Sequence, residues 1–296
     1  MIVQYFEKNT QGRDFVIGDL HGCIDDFKYV LNKLNFDKTR DRMFSVGDLV
    51  DRGPNSLACL DLLQEDWFHA VVGNHEMLFH DSVESWNDDA HEVVFKKAWS
   101  VSTWMTNGGL WIEDSHQMKN MNNALLQKYL EAIKGLPSII RLSGYNKKIN
   151  ITHAEMYSTL VDLSDEFIDD LNNMENHLST SANGGDISNN NYDLFELLSN
   201  IKQSCAWGRR VVKNANGTSK VDIEDLTLLD QLVVCGHTVV DNPCVYKNHL
   251  FIDGGACFKN DNFGFTRKLM VYNCQTEEVI VFPLSSQALQ ENNSCW

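Results

Sequence analysis

A chain of 296 residues, 43% of them apolar, can build one large domain or two small ones around a substantial core. Its formal net charge of −16 leaves no general basic face for a nucleic acid backbone, and no run of 18 apolar residues is present to cross a membrane. The acidity does not exclude a phosphorylated substrate, because cations held in a pocket would reverse the local field. The N-terminal residues lack the basic region and apolar core of a signal peptide, and the eight cysteines include no Cys-x-x-Cys pair. We therefore expect a cytoplasmic protein with reduced, mostly buried thiols rather than disulfides or a cysteine zinc site.

The apolar run 14–17 reads as a strand and ends in Gly18-Asp19-Leu20-His21-Gly22. In extended chain, residues i and i+2 share a side, so Asp19 and His21 can face one ion while Leu20 returns to the core. Ile24, Phe27, Val30, Leu31 and Leu34 follow at helical spacing. A second strand at 43–46 delivers Gly47-Asp48-Leu49-Val50-Asp51-Arg52-Gly53; Ser56 is then expected to cap a helix bearing Leu57, Leu60 and Leu63. The third strand, 69–72, delivers Gly73-Asn74-His75-Glu76. This strand–helix rhythm predicts βαβ units in a largely parallel first sheet, with a site at the strands' carboxyl ends.

Residues 77–134 read as helical and rich in tryptophan, with Trp104 and Trp111 taken as packing residues and a loop at Asn107-Gly108-Gly109. A hairpin is predicted over 138–142 and 148–151, ending in Thr152-His153-Ala154-Glu155. Residues 157–203 read as an acidic insertion, with helix at 165–171 and 192–201 around a polar loop. Trp207-Gly208-Arg209-Arg210 closes it, and the strand 232–235 delivers Gly236-His237. The apolar runs from there to 282 read as consecutive strands of a second sheet, and with no linker or repeat the chain is expected to be one domain over 1–296.

Taken together, Gly-Asp-x-His-Gly, Gly-Asp-x-x-Asp-Arg-Gly, Gly-Asn-His-Glu, His153 and Gly236-His237 resemble the calcineurin-like metallophosphoesterases, in particular the phage-lambda type of serine/threonine protein phosphatase and its bacterial relatives. Asn107-Gly108-Gly109-Leu110-Trp111, Trp207-Gly208-Arg209 and Ile252-Asp253-Gly254-Gly255-Ala256 extend the likeness over most of the chain outside 157–203. The resemblance implies an α/β fold in which a two-sheet β-sandwich is flanked by helices. It also implies two divalent metal ions, Mn²⁺ by analogy with Fe or Zn²⁺ as alternatives, held by Asp19, His21 and Asp48 on one side and by Asp48, Asn74, His153 and His237 on the other. His75 would protonate the leaving alkoxide with Asp51 holding its ring, and Arg52 and Arg209 would grip phosphate, Arg210 competing for the latter role. The implied reaction is attack of a metal-bridging hydroxide on phosphoserine or phosphothreonine in a protein or peptide, with phosphotyrosine a further substrate. Symmetrical dinucleoside-tetraphosphate hydrolysis is the alternative: that related family shares Gly-Asp-x-His-Gly-Cys and Gly-Asp-Leu-Val-x-Arg-Gly-Pro, found here up to Cys23 and Pro54, while Asp51 and Glu76 lean towards the phosphatases.

Overall fold

The computed structural model describes residues 2–114, 116–156, 172–173, 189–209, 231–258 and 266–284. Two sheets face one another. The first contains β2 (Asp14–Ile17), β3 (Arg42–Ser45), β4 (Phe68–Ala70), β12 (Lys268–Asn273) and β13 (Glu278–Pro283), in the order β13-β12-β2-β3-β4. The second contains β1 (Val3–Glu7), β7 (Ile139–Ser143), β8 (Lys148–Thr152), β9 (Gln231–Cys235), β10 (Cys244–Tyr246) and β11 (His249–Phe251), in the order β1-β7-β8-β9-β11-β10.

Alternation along the strands builds the layers. In β2, Val16 points between the sheets and joins Phe44, Ile140, Ile149, Leu232, Val234 and Leu250, while Phe15 and Ile17 point outward. There they meet Phe27 and Val30 of helix α1 (Ile24–Lys33), whose first turn carries Asp25 and Asp26, favourable at the positive end of a helix. On the far side, Val3, Ile139 and Val233 pack with Leu198, Ile201 and Cys205 of the helix Asn189–Trp207. The layers therefore run helix, sheet, sheet, helix, as the resemblance implied. Within the first sheet β2, β3 and β4 are parallel, and within the second β8, β9 and β11 are parallel. Six strand ends thus point to one edge of the sandwich.

Several sequence expectations change. The 77–134 region is not wholly helical: after helix α3 (Asn74–Ser82), β5 (Val83–Asn87) and β6 (Glu92–Phe95) form a hairpin before α4 (Ser100–Thr106) and α5 (Asn123–Lys134). Its strands are short and half-exposed, so no continuous apolar alternation marks them. Strands β12 and β13 join the first sheet rather than the second, with Tyr272 paired to Val16 across β2. A strand buried on both faces has a continuous apolar sequence that does not name its neighbour. The cap of α2 (Ser56–Asp61) is Asn55, whose side chain accepts from Ala58 N, while Ser56 Oγ accepts from Asp51 N. Strand β1, which the sequence reading passed over, pairs parallel to β7. The proposed helix at 165–171, most of the loop before residue 189, and Arg210 lie outside the described residues.

The described cysteines are all free thiols. Cys23 is packed beneath the site, with burial pushing its thiol up to about 12, so it is not a ready nucleophile. No helix among the described residues is long and apolar enough to cross a membrane.

The sheets are tied by a buried charge at the start of β2. Asp14, fully buried, receives two hydrogen bonds from Arg42 at 2.8 and 2.7 Å and another from the Tyr145 hydroxyl in the β7–β8 turn. Removing one member of such a pair strands the other. Asp14→Ala is expected to cost about 3–5 kcal/mol in urea unfolding; a loss under about 1 kcal/mol would show that Tyr145 and Arg42 find other partners.

Candidate metal centre

The strand ends deliver the site. Asp19 follows β2, Asp48 follows β3, Asn74 follows β4, His153 follows β8 and His237 follows β9. The loops carrying them are stitched by backbone: Leu20 N and His21 N donate to Asp48 O, and Gly22 N donates to Leu49 O. His21, Asp48, Asp51, Arg52 and His237 all adopt positive φ, from 43° to 73°. Left-handed non-glycine residues cost on the order of 1–3 kcal/mol each and persist where surrounding structure fixes them. At two positions close approach demands glycine: a Cβ on Gly73 would strike the Asp48 carboxylate, and one on Gly236 would strike that of Asp19.

Glu76 supplies much of that fixation. It is fully buried in α3, and its two oxygens accept from the amides of Asp48 (2.8 Å), Gly73 (2.9 Å), Leu49 (2.7 Å) and Val50 (3.2 Å). Burial and neighbouring Asp48 push its carboxyl up to about 7. Four N–H donors leave no oxygen lone pair free for a proton, so the geometry favours the anion.

The imidazole tautomers follow from their partners. His21 Nδ1 lies 2.8 Å from Val50 O, and His153 Nδ1 lies 2.9 Å from Val46 O. A carbonyl only accepts, so both protons sit on Nδ1 and both Nε2 atoms turn inward. His21 Nε2 is 3.4 Å from Asp48 Oδ2, and His153 Nε2 is 3.3 Å from Asp48 Oδ1. His153 Nε2 also lies 2.8 Å from Asn74 Oδ1 and 3.2 Å from His237 Nδ1. Two groups of ligand atoms lie within 4.8 Å of one another: His21, Asp48 and His75, and Asp48, His153 and His237. Asp48 belongs to both.

Asp19 stands slightly apart, its carboxylate accepting from His237 N at 3.1 Å. Burial, then Asp253 and Asp48, drive its pKa well up; Asp253, which follows β11, is pushed up to about 6, mainly by burial. For Asp48 burial acts the same way but is outweighed by His153 and His75, which hold it well below the carboxylate range. Burial works against charge on His153 too, and Asp48 outweighs it in the upward direction. Burial holds His21 well down and brings His237 to about 3. Carboxyls that crowd one another and so hold their protons, an amide oxygen and imidazoles with Nε2 turned inward thus converge, and a divalent cation would displace those protons and satisfy the oxygens and nitrogens together.

His75, at the start of α3, has Nδ1 2.6 Å from Asp51 Oδ2. The Arg52 guanidinium lies across the opening, NH1 2.7 Å from His21 Nε2 and NH2 2.8 Å from His75 Nε2. Arg209 is exposed on the other side, and its Nε donates to His237 Nε2 at 3.0 Å. The ten described residues among those singled out from the sequence therefore gather at one edge, Arg210 lying outside the described residues. Sequence reasoning gave no role to Asp253, and it missed that Trp104 and Trp111 donate their indole N–H groups to Asp51. The available signal was that a buried tryptophan needs an acceptor for its N–H.

A family profile described as calcineurin-like phosphoesterase matches residues 15–241. Serine/threonine-protein phosphatase 2 of Salmonella typhimurium is 28% identical over 252 residues, covering 85% of this chain and 90% of that protein. Serine/threonine-protein phosphatase 1 of the same species is 41% identical over 111 residues, a match spanning 37% of this chain and less than half, 45%, of that relative. A symmetrical bis(5'-nucleosyl)-tetraphosphatase of Aggregatibacter actinomycetemcomitans is 43% identical over 67 residues, 22% of this chain and 24% of its own. In overall shape the chain is similar to a crystal structure assigned as a diadenosine tetraphosphatase, with a TM-score of 0.54 at 17% identity over 96% of this chain and 99% of that one.

Glu76→Gln places an amide NH₂ against backbone N–H groups and leaves donors unpaired. A loss of about 2–3 kcal/mol in thermal or urea unfolding is expected, with weaker divalent-cation binding by titration calorimetry. Wild-type melting and metal affinity together would refute the role given to this carboxylate.

Proposed function

The chain belongs to the calcineurin-like phosphoesterase family, and from that premise we propose that it hydrolyses phosphoserine and phosphothreonine monoesters in proteins or peptides with two divalent cations, Mn²⁺ first among Mn²⁺, Fe and Zn²⁺. The observation that carries the reading is the Asp51–His75 pair set beside the shared carboxylate Asp48. The choice of substrate leans on the extent of likeness to the protein phosphatases, which runs through most of both chains.

Asp48, whose two oxygens face opposite histidines, would bridge the ions; Asp19 and His21 complete one set, and Asn74, His153 and His237 the other. When bound, the cations supply an activated water and neutralise phosphoryl oxygens. The chain's own groups supply the rest. His75, its Nδ1 proton retained by Asp51, takes up a second proton from solvent on Nε2 and gives that proton to the leaving alkoxide, returning to the neutral ring. That requires Arg52 to turn from His75 Nε2 onto the phosphate, where its planar fork pairs with two oxygens. Arg209 approaches from the opposite rim, leaving His237. We further read residues 1–296 as one domain carrying the acidic 157–203 insertion, because β1 and β13 both enter the sandwich, and we place it in the cytoplasm on its likeness to the bacterial phosphatases.

Symmetrical dinucleoside-tetraphosphate hydrolysis is the second reading, favoured by the short, more identical match to the tetraphosphatase. Incubating the Mn²⁺-loaded protein with a phosphoserine peptide and with diadenosine tetraphosphate side by side separates the two; preference for the dinucleotide by tenfold or more in kcat/KM would reverse our choice.

His75→Asn is expected to lower phosphopeptide turnover by about 10²–10⁴-fold with metal content unchanged; unchanged turnover removes His75 from the mechanism. Asp19→Asn is expected to lose one of the two ions, and full occupancy by metal analysis would contradict its assignment as a ligand.

A further inference from the structure

The carboxylate of Asp51 is held by more than His75. Trp104 Nε1 lies 3.0 Å from both of its oxygens, and Trp111 Nε1 lies 2.6 Å from Oδ1. His75 Nδ1 takes Oδ2 at 2.6 Å, and Asp51 N is tied to Ser56 Oγ at 2.9 Å. Asp51 and Trp104 are fully buried, and Trp111 nearly so.

We propose that Trp104 and Trp111 are positioning residues for proton transfer, their indole N–H groups fixing the plane of the Asp51 carboxylate so that His75 is aimed at the leaving-group oxygen. Held by His75 alone, the carboxylate could turn about its own axis and carry the imidazole with it. A bond to Oδ1 from Trp111 and a divided bond across both oxygens from Trp104 leave one orientation. An indole is a neutral donor, so it steadies the anion while drawing off less of the charge that retains the His75 Nδ1 proton than an arginine would.

The clamp is itself rigid. Phe79 stands one helical turn after His75 in α3 and packs on both indoles, with ring centres 5.3 Å from Trp104 and 5.4 Å from Trp111. The two indoles meet edge to face at 6.2 Å. A Cβ on Gly109 would strike the Trp104 ring, so glycine is needed for that loop to lie on the indole. One residue earlier, Gly108 O accepts from Arg52 N at 3.3 Å. The segment 104–111 therefore places the carboxylate behind His75 and the backbone of Arg52 together.

The inference rests on His75 being the general acid, and leaving-group chemistry tests the two claims separately. An alkoxide leaving from phosphoserine needs a proton; the nitrophenolate leaving from p-nitrophenyl phosphate scarcely does. In the Mn²⁺-loaded 296-residue chain, Trp104→Phe and Trp111→Phe are expected to lower kcat about 10- to 100-fold on a phosphoserine peptide, a part of the general-acid factor. On p-nitrophenyl phosphate the loss should stay below about threefold, with KM and Mn²⁺ stoichiometry unchanged. In a His75→Asn background the tryptophan changes should have no further effect on the peptide. Equal losses on both substrates, or losses that add in full to that of His75→Asn, would reduce the tryptophans to packing and overturn the proposal. If His75→Asn itself affects both substrates alike, the general-acid reading fails first. The indole N–H proton resonances, compared between the wild type and Asp51→Asn, give a readout that needs no tryptophan variant to fold. Both should move upfield, and unmoved resonances overturn the clamp.

Discussion

Acceptors crowd around Asp48. Its two oxygens face His21 on one side and His153 on the other, and Asn74 Oδ1 sits 2.8 Å from a nitrogen of His153 whose proton is on the far side of the ring. Asp19 and Asp253 add buried carboxyls nearby. In a low-dielectric setting such a collection repels itself, and cations are the natural counterweight. The loops, glycines and backbone strain around the edge of the sandwich keep these atoms from relaxing apart.

Two supporting carboxylates do most of the holding, by different chemistry. Glu76 spends its oxygens on four backbone amides and so sets the path of the chain through Asp48, Leu49 and Val50. Asp51 spends its oxygens on three side-chain rings and so sets the direction of His75. The first shapes the loop that presents Asp48. The second orients the imidazole at the start of α3. Both are buried and take N–H donors rather than a guanidinium, and the nearby Arg52 and Arg209 stay exposed.

The sandwich gives these contacts a stable base. Strands β2, β3 and β4 of one sheet and β8, β9 and β11 of the other end at the same edge, and the ligands come from both. His153 reaches across to Val46 O, and Asp19 reaches across to His237 N, so the sheets are joined through the site as well as through the apolar interior. A shift of one sheet over the other would pull the two ligand groups apart, and the close packing of Val16, Phe44, Ile140 and Val234 resists it.

The sequence by itself determined which side chains of ligand type stand at the strand ends. Each apolar run that ends in glycine followed by Asp, Asn or His marks a strand end with a ligand-type side chain, and the spacing within Gly18–Gly22 and Gly47–Gly53 already separates inward from outward positions. Helix α1, the β7–β8 hairpin and the parallel β2–β3–β4 core were legible for the same reason: their periodicity is local. Tertiary structure alone decided what depends on contacts between distant segments. It placed β12 and β13 against β2, turned 83–95 into a hairpin, put Glu76 under the Asp48 loop and brought two tryptophans more than fifty positions downstream onto Asp51. A tryptophan that packs and a tryptophan that also donates one hydrogen bond look alike in sequence, because the acceptor that distinguishes them arrives only when the chain closes.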